Sequence, residues 1–400
     1  MKKSMIVAAM LAMVATGANA KSATDSATIA KNKPVFTVVK QNPITSIKDQ
    51  NRSGTCWAYS TLSYFESEIL KHTGKTYDLS EMFVANKTYM DRATMAVRMH
   101  GDVSFSQGGS AYDVLYALQH YGIVPEGAMP APGTLTGDSL ANFGEFFDVM
   151  TPYVEAVAKS NAKKISSAWK SGLQGIIDSY IGKTPEKFTY QGKQYTPQSF
   201  CQSLGLNLDD YVTITSYTHH PMWSKFAVEV QDNWRWPLSY NVPMDDLCKI
   251  IDNAINNGYT VAWGGDVTED GFTRKGLGIA YDVKKVRSMA GTDADHWFKL
   301  SKKEKFDSLG VNAPEVVPTQ AMRQEAFDNW ETTDDHGMHI YGIAKDQNGK
   351  EYYMVKNSWG EYGDYKGTWY MTKAFVAYKT MDFMVNKNAI PKDIRKKLGI

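Results

Sequence analysis

Residues 50–58 have the sequence Gln-Asn-Arg-Ser-Gly-Thr-Cys-Trp-Ala, and a helical pattern of apolar side chains continues from them. The apolar side chains of one helix face are Ala58, Leu62, Phe65 and Ile69. This spacing predicts a helix over residues 54–72 with Cys56 at its start. A helix N-terminus lowers the pKa of a thiol and presents backbone N–H groups to an anion. We therefore predict that Cys56 is a nucleophile and that Gln50 donates a side-chain N–H to the oxyanion.

A second candidate pair, His339 and Asn357, lies on the two sides of a predicted β-hairpin. The β-prone runs 340–344 and 352–355 flank Asn348-Gly349, a typical hairpin turn. Counting outward from that turn in a regular antiparallel ladder places His339 opposite Asn357. Asn357 would then orient one imidazole nitrogen and leave the other as a general base. A slip of one residue would turn the two side chains to opposite faces, so the prediction requires a regular ladder.

These segments resemble the motifs of papain-like cysteine peptidases. Residues 50–58 resemble their Q-x-x-x-G-x-C-W-A/S nucleophile motif, and residues 356–360, Lys-Asn-Ser-Trp-Gly, resemble their N-S-W-G motif. The tryptophan of that motif shields the His–Asn pair from water. The catalytic residues that the resemblance implies are Cys56, His339, Asn357 and Gln50. The substrate-binding residues that it implies are Gly108, Gly109, Met338 and Trp359. An ordinary turn is the alternative for the two glycines.

The spacing of the motifs resembles one branch of that family. Cys56 and His339 are much farther apart than the roughly 130–150 residues typical of papain itself. Long insertions of this kind resemble the bleomycin hydrolase and aminopeptidase C branch. Other segments that resemble the branch are residues 240–243, 261–267 and 336–339. The resemblance implies a papain-like core, a homohexameric cage and removal of residues from peptide N-termini.

We predict an α+β, papain-like two-lobed fold, with a helical lobe, a β-barrel-like lobe and a mostly helical insertion. The predicted units are a signal peptide (1–20), an N-terminal arm (21–46), a helical catalytic lobe with Cys56 (47–139), the insertion (140–235) and a β-rich catalytic lobe with His339 and Asn357 (236–400).

The first twenty residues have the pattern of a signal peptide. Lys2 and Lys3 precede an apolar run, residues 5–14, that is too short for a stable membrane-spanning helix. Ala18-Asn19-Ala20 is a typical cleavage site, so we expect the mature chain to begin at Lys21. The expectation is an exported protein, periplasmic or secreted, with no membrane attachment after cleavage. A membrane anchor is the alternative.

The composition argues against nucleic acid as a partner. The 400 residues include 44 Lys and Arg against 43 Asp and Glu, so no strong field draws the chain to polyanions. We expect peptide substrates, and thiol chemistry needs no metal or organic cofactor. The pairs His219-His220 and His336/His339 lack a third ligand at suitable spacing, so no metal site is predicted. The alternative for His336 is a loop histidine near the cleft.

The other two cysteines, Cys201 and Cys248, have two interpretations. In an oxidising compartment they could form a disulfide, or they could be small buried side chains.

The C-terminal residues bear on substrate choice. Members of the branch end in an arm whose carboxylate holds the α-amine of the substrate, whereas this sequence ends at residues 394–400, soon after Pro391, in a short helical pattern. We expect a peptidase that works through a thioester and resembles aminopeptidase C and bleomycin hydrolase. The alternatives are endo- or oligopeptidase action, or a catalytically silent binding protein on the papain fold.

Overall fold

The computed structural model describes residues 34–132, 140–285, 300, 301, 304 and 310–400. The predicted signal peptide and the beginning of the predicted N-terminal arm lie outside the described residues. None of the helices found in the described ranges has the length and apolar character needed to cross a membrane.

Helices dominate the first half of the chain and strands the second, which is the α+β arrangement that the sequence predicts. The helices are α1 (Cys56–Thr73), α2 (Glu81–Arg98), α3 (Ala111–His120), α4 (Gly144–Ala158), α5 (Ala168–Ile181), α6 (Pro197–Ser203), α7 (Met244–Asn256), α8 (Gln320–Asp328), α9 (Lys373–Lys379) and α10 (Lys392–Leu398). The strands are β1 (Thr37–Gln41), β2 (Phe188–Tyr190), β3 (Lys193–Tyr195), β4 (Tyr211–Thr215), β5 (Lys225–Phe226), β6 (Ser239–Asn241), β7 (Val261–Gly265), β8 (Phe272–Thr273), β9 (Leu277–Gly278), β10 (His336–Lys345), β11 (Glu351–Lys356), β12 (Thr368–Thr372) and β13 (Thr380–Asn386).

Helix α1 lies at the junction of the helical lobe and the sheet. It packs against α2 and α3 on one side and against β7 and β10 on the other, so residues 57–69 are buried without a break. The helix ends where Gly74 adopts a left-handed conformation (φ 68°) and its N–H bonds to the Leu70 carbonyl. These bounds confirm the predicted helix over residues 54–72 and leave Cys56 as its first residue.

The main sheet has the strand order β5-β6-β4-β13-β7-β10-β11-β12-β9-β8, and β1 pairs with β10. β10 is therefore central, with β7 beside its first half and β1 beside its second half. The β-rich lobe is built on this sheet, and among the strands that the structure describes no pairing joins β5 to β8, so the sheet does not close into a barrel. β4 and β5 belong to this sheet, although they lie within the residues assigned to the insertion.

The hairpin of β10 and β11 contains an irregularity that matters for the site. Nearest the turn the strands pair as the sequence predicts, with Ala344 opposite Tyr352 and Gly342 opposite Met354. A β-bulge at Tyr341 then shifts the register by one residue, so that His339 pairs with Lys356 rather than Asn357.

Each lobe has its own apolar core. One lies among α1–α6, where α4 and α5 of the predicted insertion pack on α2, and the other lies between the sheet and helices α7, α9 and α10. Cys201 is buried in the first core and Cys248 lies beside the second, and both are free thiols. The structure therefore supports the interpretation of these cysteines as buried side chains.

Candidate active site

Cys56 lies in a cleft between the helical lobe and the sheet. Gly54, before the helix, is fixed by a hydrogen bond from its N–H to Gln107 Oε1 (2.7 Å). The backbone N–H groups of Cys56 and Trp57 belong to the first turn of α1 and have no intrahelical partner, and both residues line a cleft of about 190 Å³. The thiol therefore lies where the sequence predicts, at a helix N-terminus that opens into a cavity.

His336, the first residue of β10, lies across the same cleft. Its Nε2 lies 2.8 Å from Asn357 Oδ1, and the Ser358 N–H donates to that oxygen at 2.8 Å. Because a carbonyl oxygen only accepts, Nε2 carries the hydrogen and Nδ1 is left as the basic nitrogen. Gly337 allows β10 to approach α1 closely, because it has no side chain. A Cβ there would lie 2.7 Å from Ser60 Oγ and 3.3 Å from the Cys56 carbonyl oxygen.

His339, predicted as the base, has a different place. Its side chain is fully buried, its Nδ1 lies 2.9 Å from Ser63 Oγ, and its ring meets the edge of Tyr64 beneath the cleft. The bulge at Tyr341 is the physical reason, since it moves His339 away from Asn357. The prediction of His339 as partner of Asn357 is wrong, and His336, which the sequence offered as a loop histidine near the cleft, makes that contact.

Burial shifts the titration of both reactive groups toward their neutral forms. It raises the pKa of the Cys56 thiol to about 11, against the opposing effect of the Gly337 backbone N–H, and Asp334 and Asp232 raise it further. Burial lowers the pKa of His336 to about 4, although the bond to Asn357 opposes this. Desolvation therefore opposes the lowering of the thiol pKa that a helix N-terminus is expected to give.

Gln50 is buried in the segment that precedes Cys56, and both ends of its amide are held by hydrogen bonds. Its Nε2 donates to the Ser53 carbonyl (2.7 Å), and its Oε1 accepts from Ser358 Oγ (2.5 Å). One Nε2 hydrogen remains for the predicted oxyanion contact. Ser358 follows Asn357, so this bond also ties the Asn357 segment to the segment that precedes Cys56.

The paired glycines Gly108 and Gly109 line the cleft as predicted. Neither position has room for a side chain, because a Cβ on Gly109 would lie 2.8 Å from the Trp57 ring and one on Gly108 would lie 1.8 Å from Asp232 Oδ2. The buried Arg92 donates to the Gly108 carbonyl (2.6 Å) and pairs with Asp232 (3.1 Å). The sequence pattern did not single out this Arg92–Asp232 pair, which holds the glycine wall in place.

The other two predicted substrate contacts differ from expectation. Met338 is fully buried in the core of the sheet, because it alternates with Gly337 along β10 and points away from α1, so its assignment as a substrate contact is wrong. Trp359 packs on the His336 ring, with centroids 5.0 Å apart, and on Trp369. Its position suits a shield over His336 and Asn357.

Four carboxyl groups lie on the sheet side of the cleft, and burial raises the pKa of Asp334, Asp335 and Asp382 above the usual range. Asp232, Asp334, Asp335 and Asp382 line the cleft, and its described lining residues include neither lysine nor arginine. Arg92 neutralises Asp232, whereas within the described part of the chain no lysine or arginine pairs with the other three. These carboxylates come from separate segments that only the fold brings together, so no local motif revealed them.

Asn357 offers a graded test of the His336 contact. We expect Asn357→Ala to lower kcat by about 10- to 100-fold without abolishing activity, because the imidazole loses the group that fixes its tautomer and orientation. Steady-state hydrolysis of a fluorogenic peptide would measure this. Asn348→Ala, at the exposed tip of the same hairpin, is the matched control. Equal rates for the Asn357 variant and the unmodified protein would contradict the orienting role.

The chain matches the model of the Peptidase C1-like family over residues 2–311 and 305–399. It is 23% identical to aminopeptidase G of Lactobacillus delbrueckii subsp. lactis over 394 residues, which cover 89% of this chain and 84% of that protein. It is 24% identical to aminopeptidase C of Lactobacillus helveticus over 407 residues, covering 90% and 85% of the two chains. Human bleomycin hydrolase is 22% identical over 412 residues, covering 92% and 86%.

A solved structure shares the architecture. PepW from Lactobacillus rhamnosis HN001 aligns with a TM-score of 0.67 and 19% identity, covering 99% of this chain and 95% of that one. This similarity supports the fold. Together with the family match, it confirms the resemblance that the motifs around Cys56 and Asn357 indicate, and the chain belongs to the Peptidase C1-like family.

Proposed function

We propose that the protein is a cysteine peptidase in which Cys56 is the nucleophile, His336 the general base and acid, and Asn357 the orienting group. The observation that carries the proposal is the 2.8 Å contact between His336 Nε2 and Asn357 Oδ1 in the cleft that holds Cys56. No other histidine among the described residues lines that cleft.

The proposed reaction has two stages. When substrate fills the cleft, the Cys56 proton passes to His336 Nδ1 and the sulfur attacks the peptide carbonyl. Cys56 N–H and Gln50 Nε2 donate to the oxyanion of the tetrahedral intermediate. The intermediate collapses to a thioester as His336 protonates the leaving amine. A water molecule, deprotonated by His336, then hydrolyses the thioester and restores the thiol.

We propose that the substrates are peptides with a free N-terminus. The relatives above are named as aminopeptidases, and the acidic wall of this cleft is suited to an α-ammonium group beside the scissile bond. Asp382 carries the argument, because it lines the cleft and pairs with no lysine or arginine of the described residues. Burial and the neighbouring carboxylates raise the pKa of Asp334 well above its usual range, so Asp334 is the weaker candidate for a charge contact.

Asp382 gives this proposal a pH-dependent test. Burial raises the pKa of its carboxyl to about 6, so the charge that attracts an ammonium group is present above pH 6 and lost below it. We expect Asp382→Asn to raise KM for an aminoacyl fluorogenic substrate about three- to tenfold at pH 7.5 and to have little effect at pH 5.

The matched comparisons are the N-blocked form of the same substrate and the exposed Asp245→Asn variant on α7. Neither should show the shift in KM. Faster hydrolysis of the N-blocked substrate than of the free amine would contradict aminopeptidase action and favour an endopeptidase.

We also propose that the protein is exported. Basic Lys2 and Lys3, the apolar run over residues 5–14 and the Ala18-Asn19-Ala20 site support it. N-terminal sequencing of the protein from its native host should give a chain that begins at Lys21. Retention of the first twenty residues in the mature protein would contradict export by signal cleavage.

A further inference from the structure

We propose that His219, His220 and Glu229 form a binding site for a divalent transition-metal ion of the Zn²⁺ class. Each residue offers one ligand atom, and the three atoms all lie within 4.8 Å of one another. The adjacent histidines alone lack a third ligand. The fold supplies it, because the chain turns back after His220 and brings Glu229 against both rings.

The two imidazoles converge on one carboxylate. His219 Nε2 lies 3.0 Å from Glu229 Oε2, and His220 Nε2 lies 3.0 Å from Glu229 Oε1. Metal–ligand bonds of about 2.0–2.2 Å require ligand atoms roughly 3–3.5 Å apart, so small side-chain rotations would seat an ion among them. Two imidazole nitrogens and one carboxylate oxygen match catalytic and transport zinc sites with an open position, and they disfavour Mg²⁺ and Ca²⁺, which take oxygen ligands.

The rings are held in place by aromatic packing. His219 is stacked on Phe327 with centroids 5.6 Å apart, and His220 is stacked on Phe226 at 4.2 Å. Metal binding to these histidines would therefore cost less side-chain entropy than binding to freely rotating surface residues.

Gln324 lies behind His219. Its Nε2 is 3.1 Å and its Oε1 is 3.4 Å from His219 Nδ1, and Oε1 also accepts the Thr218 backbone N–H (2.5 Å). Because the nearer Nε2 donates to Nδ1, His219 Nε2 carries the ring hydrogen and donates it to Glu229 in the metal-free protein. Metal binding at Nε2 would move that hydrogen to Nδ1, where Gln324 Oε1 is the available acceptor.

The site also adjoins the catalytic cleft. His219 and Glu229 line a cavity of about 750 Å³ whose walls include Val230, Asp232 and Asp334, which also line the cleft of Cys56. An ion bound to Glu229 would thus hold in place the segment that continues to Asp232 in the cleft of Cys56. We expect the metal-loaded protein to unfold at a higher temperature than the metal-free protein.

The test is Zn²⁺ titration of the full chain carrying Cys56→Ala, in competition with a chromogenic chelator. Removing the thiol takes away the strongest zinc ligand in the cleft of Cys56, and the three ligand variants below show whether the bound ion lies at Glu229 or in that cleft. We expect one Zn²⁺ per chain and a rise in Tm with Zn²⁺. Three further variants each carry one ligand substitution in the Cys56→Ala parent: His219→Gln, His220→Gln or Glu229→Gln. Each should weaken Zn²⁺ binding by more than about tenfold and remove the rise in Tm.

His72→Gln is the matched control, because His72 is another exposed histidine beside a carboxylate, 3.9 Å from Glu68. It should bind Zn²⁺ as the Cys56→Ala parent does. Circular dichroism of each metal-free variant separates loss of ligands from loss of fold. Equal Zn²⁺ affinity in the parent and the three ligand variants, absence of stoichiometric binding in the parent, or stronger binding of Mg²⁺ than Zn²⁺ would overturn the proposal.

Discussion

His336→Ala should reduce peptide hydrolysis by at least about 10³-fold, whereas His339→Ala should leave kcat within about tenfold of the unmodified protein. The two histidines are three residues apart on β10, but only His336 lines the cleft and contacts Asn357. Its removal leaves the Cys56 thiol, whose pKa burial raises to about 11, without a proton acceptor.

His339→Ala should act on stability instead. The ring is fully buried and its Nδ1 bonds to Ser63 Oγ, so alanine leaves a cavity and an unpaired buried hydroxyl. We expect a loss of about 2–4 kcal/mol in the free energy of unfolding. Stopped-flow or steady-state assays and denaturant titration of both variants separate the two roles. If the His339→Ala variant were stable but inactive and the His336→Ala variant were active, the roles assigned to the two histidines would be reversed.

Cys56→Ala should abolish hydrolysis, with a loss of at least about 10⁴-fold, because no other group at this position can form the thioester. The fold should persist, since Cys56 is the first residue of α1 and its side chain lines the cleft rather than an apolar core. Turnover of a fluorogenic aminoacyl substrate and thermal unfolding would be measured on the same preparation.

Cys248→Ala is the matched control, because that thiol lies beside the core of the sheet and not in the cleft. It should keep full activity. Retained turnover in the Cys56→Ala variant would refute the assignment of Cys56 as the nucleophile. An inactive, well-folded protein with intact Cys56, His336 and Asn357 would instead favour the silent binding protein that the sequence left as an alternative.

Local patterns predicted the fold and half of the site, because these features depend on short stretches of chain. The apolar spacing that follows Cys56 specified α1, and the Asn348-Gly349 turn specified the hairpin and its register near the turn. The family motifs then placed Cys56 and Asn357 on the two lobes. The β-rich lobe was also predicted, although its sheet stays open among the described strands.

The sequence predicted His339 in place of His336 because β10 contains one residue more than a regular ladder with β11 would have. A regular ladder gives His339 opposite Asn357, and the bulge at Tyr341 breaks that ladder. Gly342 was an available signal, since glycine inside a strand often marks a bulge or a close backbone approach. A Cβ there would lie 2.8 Å from the Lys40 carbonyl oxygen of β1. A bulge beside Gly342 shifts the register by one residue, so His339 no longer lies opposite Asn357.

Residues brought together by tertiary structure could not be predicted in this way. Asp232, Asp334 and Asp382 come from three separate segments, and Glu229 meets His219 and His220 only through the turn between them. The effect of burial on the pKa of Cys56 could not be predicted from sequence for a related reason. A helix terminus is visible in sequence, whereas the depth of a cleft is not, and here desolvation has the larger effect.

Labelling of Cys56 by a peptidyl epoxide tests the central claim, activation of this thiol by His336, most directly. We predict that mass mapping of the labelled protein finds the adduct on Cys56 and on neither Cys201 nor Cys248. We also predict labelling at least about 100-fold slower in His336→Ala and nearly unchanged in His339→Ala. Labelling of Cys201 or Cys248 in place of Cys56, or equal labelling rates with and without the His336 imidazole, would contradict the account.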